Sequence, residues 1–160
     1  GNGLRRMLPK FDNPLIAQLA EDRLCASFIA DGIHIPPLAR KVLLRAKTIE
    51  RSILVTDATA AAAAPPGRYQ LAGMPIEHAA DGSVRVPGGT VLAGSSLRLD
   101  QAVRNLVAWG LTTADAALRM ASDHPAALIA PALSAHGIAP RHLPVVWSDA
   151  LLPQAPALPA

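Results

Sequence analysis

Apolar and polar positions fall into alternating blocks along the first sixty residues. Leu15, Ile16, Leu19 and Leu24 recur at helical spacing behind Asp12-Asn13-Pro14, a polar cap with proline in the first turn. The run "LCASFIA" (24–30) is apolar almost throughout and is stopped by Asp31-Gly32, which predicts a short buried strand. Pro36-Pro37 opens a second helix; Leu38, Val42, Leu43 and Ala46, at i, i+4, i+5 and i+8, are expected to form its buried face. "SILVTD" (52–57) is a second buried strand. Helix, strand, helix, strand, with strands apolar on both faces, is the pattern of parallel strands covered by helices, an α/β arrangement.

The periodicity changes after five alanines (60–64) and Pro65-Pro66-Gly67. Residues 67–86 read as short antiparallel strands, with Asp81-Gly82 supplying a hairpin turn. "GGTVLAGSS" (88–96) reads as a glycine-rich loop ahead of a helix. It could offer backbone N–H groups to an anion but lacks the lysine and spacing of a P-loop. Two helices follow: 98–109, with Ala102, Val103, Leu106 and Val107 as its apolar face, and 113–122, opened by Thr112 or Thr113 with Asp115 in its first turn. Leu143, Val145, Val146 and Trp147 predict a last strand, and the proline-punctuated "LLPQAPALPA" an extended, mobile tail. There is no internal repeat.

Composition narrows the function classes. Of 160 residues, 51% are hydrophobic and 17% charged, enough apolar material for a core and too little charge for a disordered chain. Aromatics are only 3%, so alanine and branched aliphatics carry the packing. The net charge of +3 comes from scattered Lys and Arg without interleaved aromatics, which argues against a nucleic-acid surface. Cys25 is the single cysteine; no internal disulfide can form, and a buried, inert thiol is expected. No apolar stretch approaches the roughly 20 residues that span a bilayer, and no signal peptide opens the chain. The expectation is a cytoplasmic protein. The chain opens Gly1-Asn2-Gly3 without methionine, from which a preceding segment is expected.

Candidate chemistry gathers where the parallel strands end. One strand runs into Asp31-Gly32-Ile33-His34 and the other into Asp57, with Asp31 and Asp57 26 residues apart, one strand–helix repeat. Neighbouring parallel strands would present these groups on one rim, where an aspartate can act as general base or as a metal ligand. Each also has a plainer reading: Asp31 capping a turn, His34 packed or solvated, Asp57 capping the next loop.

Together with their order and spacing, Asn2-Gly3, "IADGIH", "LVTDAT", "GTVLAGSSL", "AVRNLV" and "ALRMASDHPA" are more specific. Over residues 1 to about 130 the chain resembles the C-terminal portion of the N-acetylglucosamine-6-phosphate deacetylase family, hydrolases of the amidohydrolase superfamily. The resemblance implies the C-terminal part of a (β/α)8 metallo-hydrolase barrel with strands of a small β-sandwich. Residues 1–66 would carry barrel strands 7 and 8 with their helices, 67–96 a sandwich edge or hairpin and the pocket loop, and 97–130 the C-terminal barrel helices. Residues 131–149 would be a remnant sandwich strand and 150–160 a Pro/Ala-rich tail.

It further implies an amino-sugar-phosphate substrate, removal of acetate from N-acetylglucosamine 6-phosphate, and a divalent metal, usually zinc. Asp57 stands at the family's proton-shuttling aspartate. His34 matches its substrate-contacting histidine, and Asn2 and Gly3 match an Asn-Ala pair that holds the sugar phosphate. Lys10 falls where the family has a phosphate-binding arginine, and Leu92, Ala93 and Gly94 match the loop lining the sugar pocket. The metal ligands of the family, a glutamate and two histidines, come from earlier strands and none lies in this chain. Neither nucleic-acid nor membrane partners are implied, and a homodimer is. Two alternatives stand beside this expectation: an amidohydrolase acting on a different N-acyl substrate, and a non-catalytic remnant serving as an interaction module.

Overall fold

The computed structural model describes residues 7–140 and 144–154. Asn13, in extended conformation, caps helix α1 (Pro14–Ala20) by accepting a hydrogen bond from Ile16 N at 3.1 Å, with Pro14 at the first helical position. Strand β1 (Ala26–Ile29), helix α2 (Pro37–Lys47) and strand β2 (Ser52–Val55) follow. β1 and β2 pair in parallel, in register from Ala26↔Ser52 to Ile29↔Val55. Both strands therefore end at one level.

Helix α2 does not bury the face that apolar spacing predicts. Leu38 and Val42 are 78% and 61% exposed, Ala46 is exposed and Leu43 half-buried; Arg40, Leu44 and Lys47 are the residues turned inward. The reason is hydrogen bonding to carbonyls outside the helix. Lys47 Nζ donates to Gln18 O at 3.0 Å and to Glu21 O, closing the C-terminal end of α1, and Arg40 donates to the carbonyls of Ile29 and Ile35. A long cationic side chain can bury its stem when its head finds carbonyl oxygens.

Residues 67–95 form a four-stranded antiparallel sheet in sequential order: β3 (Gly67–Leu71), β4 (Met74–His78), β5 (Ser83–Arg85) and β6 (Leu92–Ser95). Ala72 and Gly73 both take positive φ between β3 and β4, the two-residue turn that suits the twist of a hairpin. Asp81-Gly82 turns β4 into β5, with the Asp81 carboxylate accepting from Ser83 N and Oγ. The glycine-rich stretch 88–96 is not a free loop. Its second half is β6, paired with β5 across a register shift between Ser83 and Arg85. Ala61, Ile76 and Val84 form the small core beneath this sheet.

Three helices complete the chain's main body: α3 (Leu99–Ala108), α4 (Ala114–Ala121, capped by Thr113) and α5 (Asp123–Ala135). Ala102, Val103 and Leu106 of α3 and Met120 of α4 pack on Phe28 and Leu54 of the parallel pair, forming the larger core. Helix α5, absent from the reading by periodicity, continues past residue 130 to Ala135, so 131–135 are helical and not a strand remnant. Pro131 lies inside it and it buries no residue. Val146–Trp147 (β7) pairs antiparallel with Pro153–Gln154 (β8), so the tail folds back at its start instead of remaining extended. Leu143 and residues 155–160 lie outside the described residues. Cys25 is free and half-buried. Among the described residues no helix is long and apolar enough to cross a membrane.

Candidate active site on the strand rim

Because β1 and β2 end in register, Asp31 and Asp57 each follow their strand by two residues on the same rim. Asp31 does cap its turn: Oδ1 accepts from Ile33 N at 2.9 Å and His34 N at 3.0 Å. Its other oxygen, Oδ2, lies 2.6 Å from His34 Nδ1, and both side chains are over 90% buried. The capping role and a role in orienting histidine are thus carried by one carboxylate. Burial works to raise the Asp31 carboxyl, but the hydrogen bonds from the His34 ring, His34 N and Ile33 N outweigh it and hold the group below the ordinary aspartate value. An ionised Asp31 accepts a hydrogen bond from Nδ1–H in the tautomer that leaves Nε2 as the ring's acceptor, where no partner meets it among the described residues.

Three residues that sequence reasoning did not single out hold this loop. Asn105 of α3 donates to Ala30 O at 2.8 Å. The Trp109 ring packs against Gly32, which takes φ +79 and where a Cβ would come within 3.3 Å of Cζ2. Arg40 grips the loop from inside, and burial lowers its guanidinium to about 10 despite the nearby Asp31 charge. Of these only Asn105 lay in a quoted motif, "AVRNLV".

Asp57 is exposed and sits at φ +53, in the left-handed region that an Asp side chain tolerates better than most. Among the described residues no hydrogen bond or ion pair engages its carboxylate. Its backbone, by contrast, is pinned: Ser95 N donates to Asp57 O at 2.8 Å, Thr59 N to Ser95 O at 3.0 Å, and Ser95 Oγ to Thr56 O. Gly94 packs straight onto this turn; a Cβ there would lie 2.5 Å from Thr59 Cγ2 and 3.0 Å from Asp57 O. So β6, carrying Leu92, Ala93 and Gly94, is drawn to the aspartate as strand and not as loop. The β4–β5 turn also reaches the rim, with Gly82 near Ile33 and its carbonyl accepting from Ser96 Oγ at 2.8 Å.

Lys10 stays apart: it is exposed, its ammonium 5.0 Å from the Phe11 ring, and no hydrogen bond or ion pair ties it to the rim among the described residues. Asn2 and Gly3 lie outside the described residues. Among the described residues no three His, Cys, Asp or Glu side chains converge to hold a metal ion, so the donor set here does not fit a metal site by itself.

No family profile matches the chain. Individual relatives do. A provisionally named N-acetylgalactosamine-6-phosphate deacetylase of Escherichia coli is 38% identical over 128 residues, 80% of this chain and 75% of the relative. N-acetylglucosamine-6-phosphate deacetylase of Danio rerio is 37% identical over 128 residues, covering 74% of this chain but 30% of the relative. In three dimensions, a mutant N-acetyl-D-glucosamine-6-phosphate deacetylase from Mycobacterium smegmatis, solved with N-acetyl-D-glucosamine-6-phosphate, superposes over 91% of this chain and 40% of its own. Its TM-score is 0.74 at 28% identity. The chain thus spans three quarters of one relative and well under half of the other two.

Proposed function

Because the chain belongs to the family of N-acetylglucosamine- and N-acetylgalactosamine-6-phosphate deacetylases, we propose that it carries the proton-transfer half of an amide-hydrolysing site. The reaction is removal of acetate from N-acetylglucosamine 6-phosphate. Asp57 accepts a proton as water adds to the amide carbonyl. It returns that proton to the amine as the C–N bond breaks, giving acetate and the free amino sugar phosphate. His34, held by Asp31, contacts the sugar; Leu92, Ala93 and Gly94 line its pocket; Asn2, Gly3 and Lys10 serve the phosphate. Lys10 supplies charge there without the bidentate fork of an arginine.

In this reading β1 and β2 are the last two strands of a (β/α)8 barrel and the β3–β6 sheet belongs to its β-sandwich. A divalent metal, zinc by resemblance, would lower the pKa of an attacking water and polarise the amide; its ligands would have to come from beyond the described residues. The observation that carries the proposal is the Asp57 carboxylate itself. Among the described residues it is unengaged, and it is exposed, on a backbone fixed by Ser95 and on the same rim as a buried Asp31–His34 pair.

The galactosamine epimer is the second reading, because two Escherichia coli relatives at 38% identity bear that name. Acetate release should be measured with both phosphosugars on the longest natural product that contains the chain; the 160-residue segment by itself is expected to be inactive. Hydrolysis of the glucosamine substrate that falls by orders of magnitude in Asp57→Asn supports the assignment. Unchanged turnover in Asp57→Asn, or no acetate from either sugar, overturns it.

A further inference from the structure

Arg40 is the largest fully buried side chain among the described residues, and apolar patterning would never place it in a core. It reaches inward from the first turn of α2. Nη2 donates to two carbonyls: Ile29 O, at the last residue of β1, and Ile35 O, just before α2 begins (3.2 Å). Those two residues bracket the loop that holds Asp31, Gly32, Ile33 and His34. The guanidinium carbon also lies 6.0 Å from the Phe28 ring centre and 5.9 Å from that of Trp109, the ring against which Gly32 closes.

Space-filling does not account for this residue. Arg40 Nε and Nη1 are buried without a hydrogen-bond partner among the described residues, so the site bears two unsatisfied donors that an aliphatic side chain would avoid. What an aliphatic side chain could not do is tie the two ends of the loop together. Nor could it set beside Asp31 a cation whose buried charge that carboxylate helps to hold.

We propose that Arg40 is a positioning residue for His34: by bridging the Ile29 and Ile35 carbonyls it holds the loop closed, so that Asp31 Oδ2 keeps accepting from His34 Nδ1–H and Nε2 stays the ring's acceptor. The inference goes deeper into the proposed role of His34 and, for its catalytic meaning, rests on that role. The geometry of the loop does not. Asn105 and Trp109 hold the same loop from α3, so Arg40 supplies closure from the α2 side only.

The test is made on the 15N-histidine-labelled 160-residue chain, where NMR reports the His34 tautomer and the solvent exchange of its Nδ1 proton without any need for turnover. In the unaltered chain a single tautomer protonated at Nδ1 is expected. Arg40→Met should mix the tautomers and speed exchange about tenfold or more. Arg40→Lys retains the charge but has one small head for two carbonyls, so it should keep the tautomer and exchange at an intermediate rate. Leu44→Ala, a core truncation one turn along the same helix, supplies a comparably destabilised control and should leave the His34 signals as they were.

Arg40→Met with unchanged His34 signals would overturn the proposal, and so would Leu44→Ala disturbing them equally. Should Arg40→Met fail to fold, Arg40→Lys decides: exchange equal to the unaltered chain overturns the bridge. These NMR responses together with no deacetylase activity in the longest natural product that contains the chain would sink the functional reading alone.

Discussion

Gly94→Ala tests whether β6 is seated on the aspartate turn as closely as described. Two costs are expected. Gly94 has φ +85, a conformation that costs an L-residue about 1–2 kcal/mol. The added methyl would also lie 2.5 Å from Thr59 Cγ2 and 3.0 Å from Asp57 O. Neither neighbour yields freely: Thr59 Oγ1 donates to Ser95 O at 3.2 Å and accepts from Ala61 N, and Asp57 O accepts from Ser95 N at 2.8 Å. Relieving such overlap typically costs about 1–3 kcal/mol more. Gly73→Ala separates the two costs, because Gly73 has φ +81 in the same sheet with nothing within 4 Å of a new Cβ. Urea unfolding of both variants should give a loss of about 1–2 kcal/mol for Gly73→Ala and about 2–5 kcal/mol for Gly94→Ala, at similar m-values. Equal losses, or the larger one at Gly73, would refute the close approach of β6 to Asp57.

Three further outcomes follow from the rim. Asp57→Asn should change thermal stability by less than about 0.5 kcal/mol, since no partner engages the carboxylate among the described residues; a larger loss would make it a structural group. The Asp31 carboxyl is lowered in the folded chain, so its stabilisation is present above the ordinary value of 3.8 and is lost as pH falls through the folded value. Asp31→Asn should therefore be less stable at neutral pH and unfold less steeply in acid. The slope should not vanish, because Asp81 and Asp100 are lowered too; an unaltered acid limb would disprove Asp31's contribution. Asn105→Ala strands the fully buried Ala30 carbonyl and should cost about 1–3 kcal/mol by urea titration; a loss near zero would remove Asn105 from the loop's support.

Much of the backbone plan was legible because it rests on local rules. Asn13-Pro14 and Pro36-Pro37 start helices, Asp31-Gly32 ends a strand, and two short apolar runs pair in parallel. What was not legible depends on contacts distant in sequence. Arg40 and Lys47 are buried because carbonyls of Ile29, Ile35, Gln18 and Glu21 wait for them, and no periodicity of α2 records that. Leu92–Ser95 is a strand because β5 offers an edge, although its glycine and flanking Gly88-Gly89 read as loop. Helix α5 was hidden by Pro125 and Pro131. At the site, Asp57 and His34 could be named from strand ends and motif, whereas Asn105, Trp109 and Arg40 emerge only once α2 and α3 close on the β1–α2 loop.

The bond from Thr59 N to Ser95 O bears on how the molecule can vary. The chain departs from the rim at Thr59 and, 36 residues later, returns to touch the point it left. An excursion whose two ends coincide can lengthen, shorten or be rebuilt without displacing what lies at its root. The turns at 72–73 and 86–91 are accordingly open to insertion, display peptides or tags, while the 79–82 turn is not, because Gly82 lies against Ile33. Diversity can accumulate at two tips of this sheet while the residues beside Asp57 stay where they are.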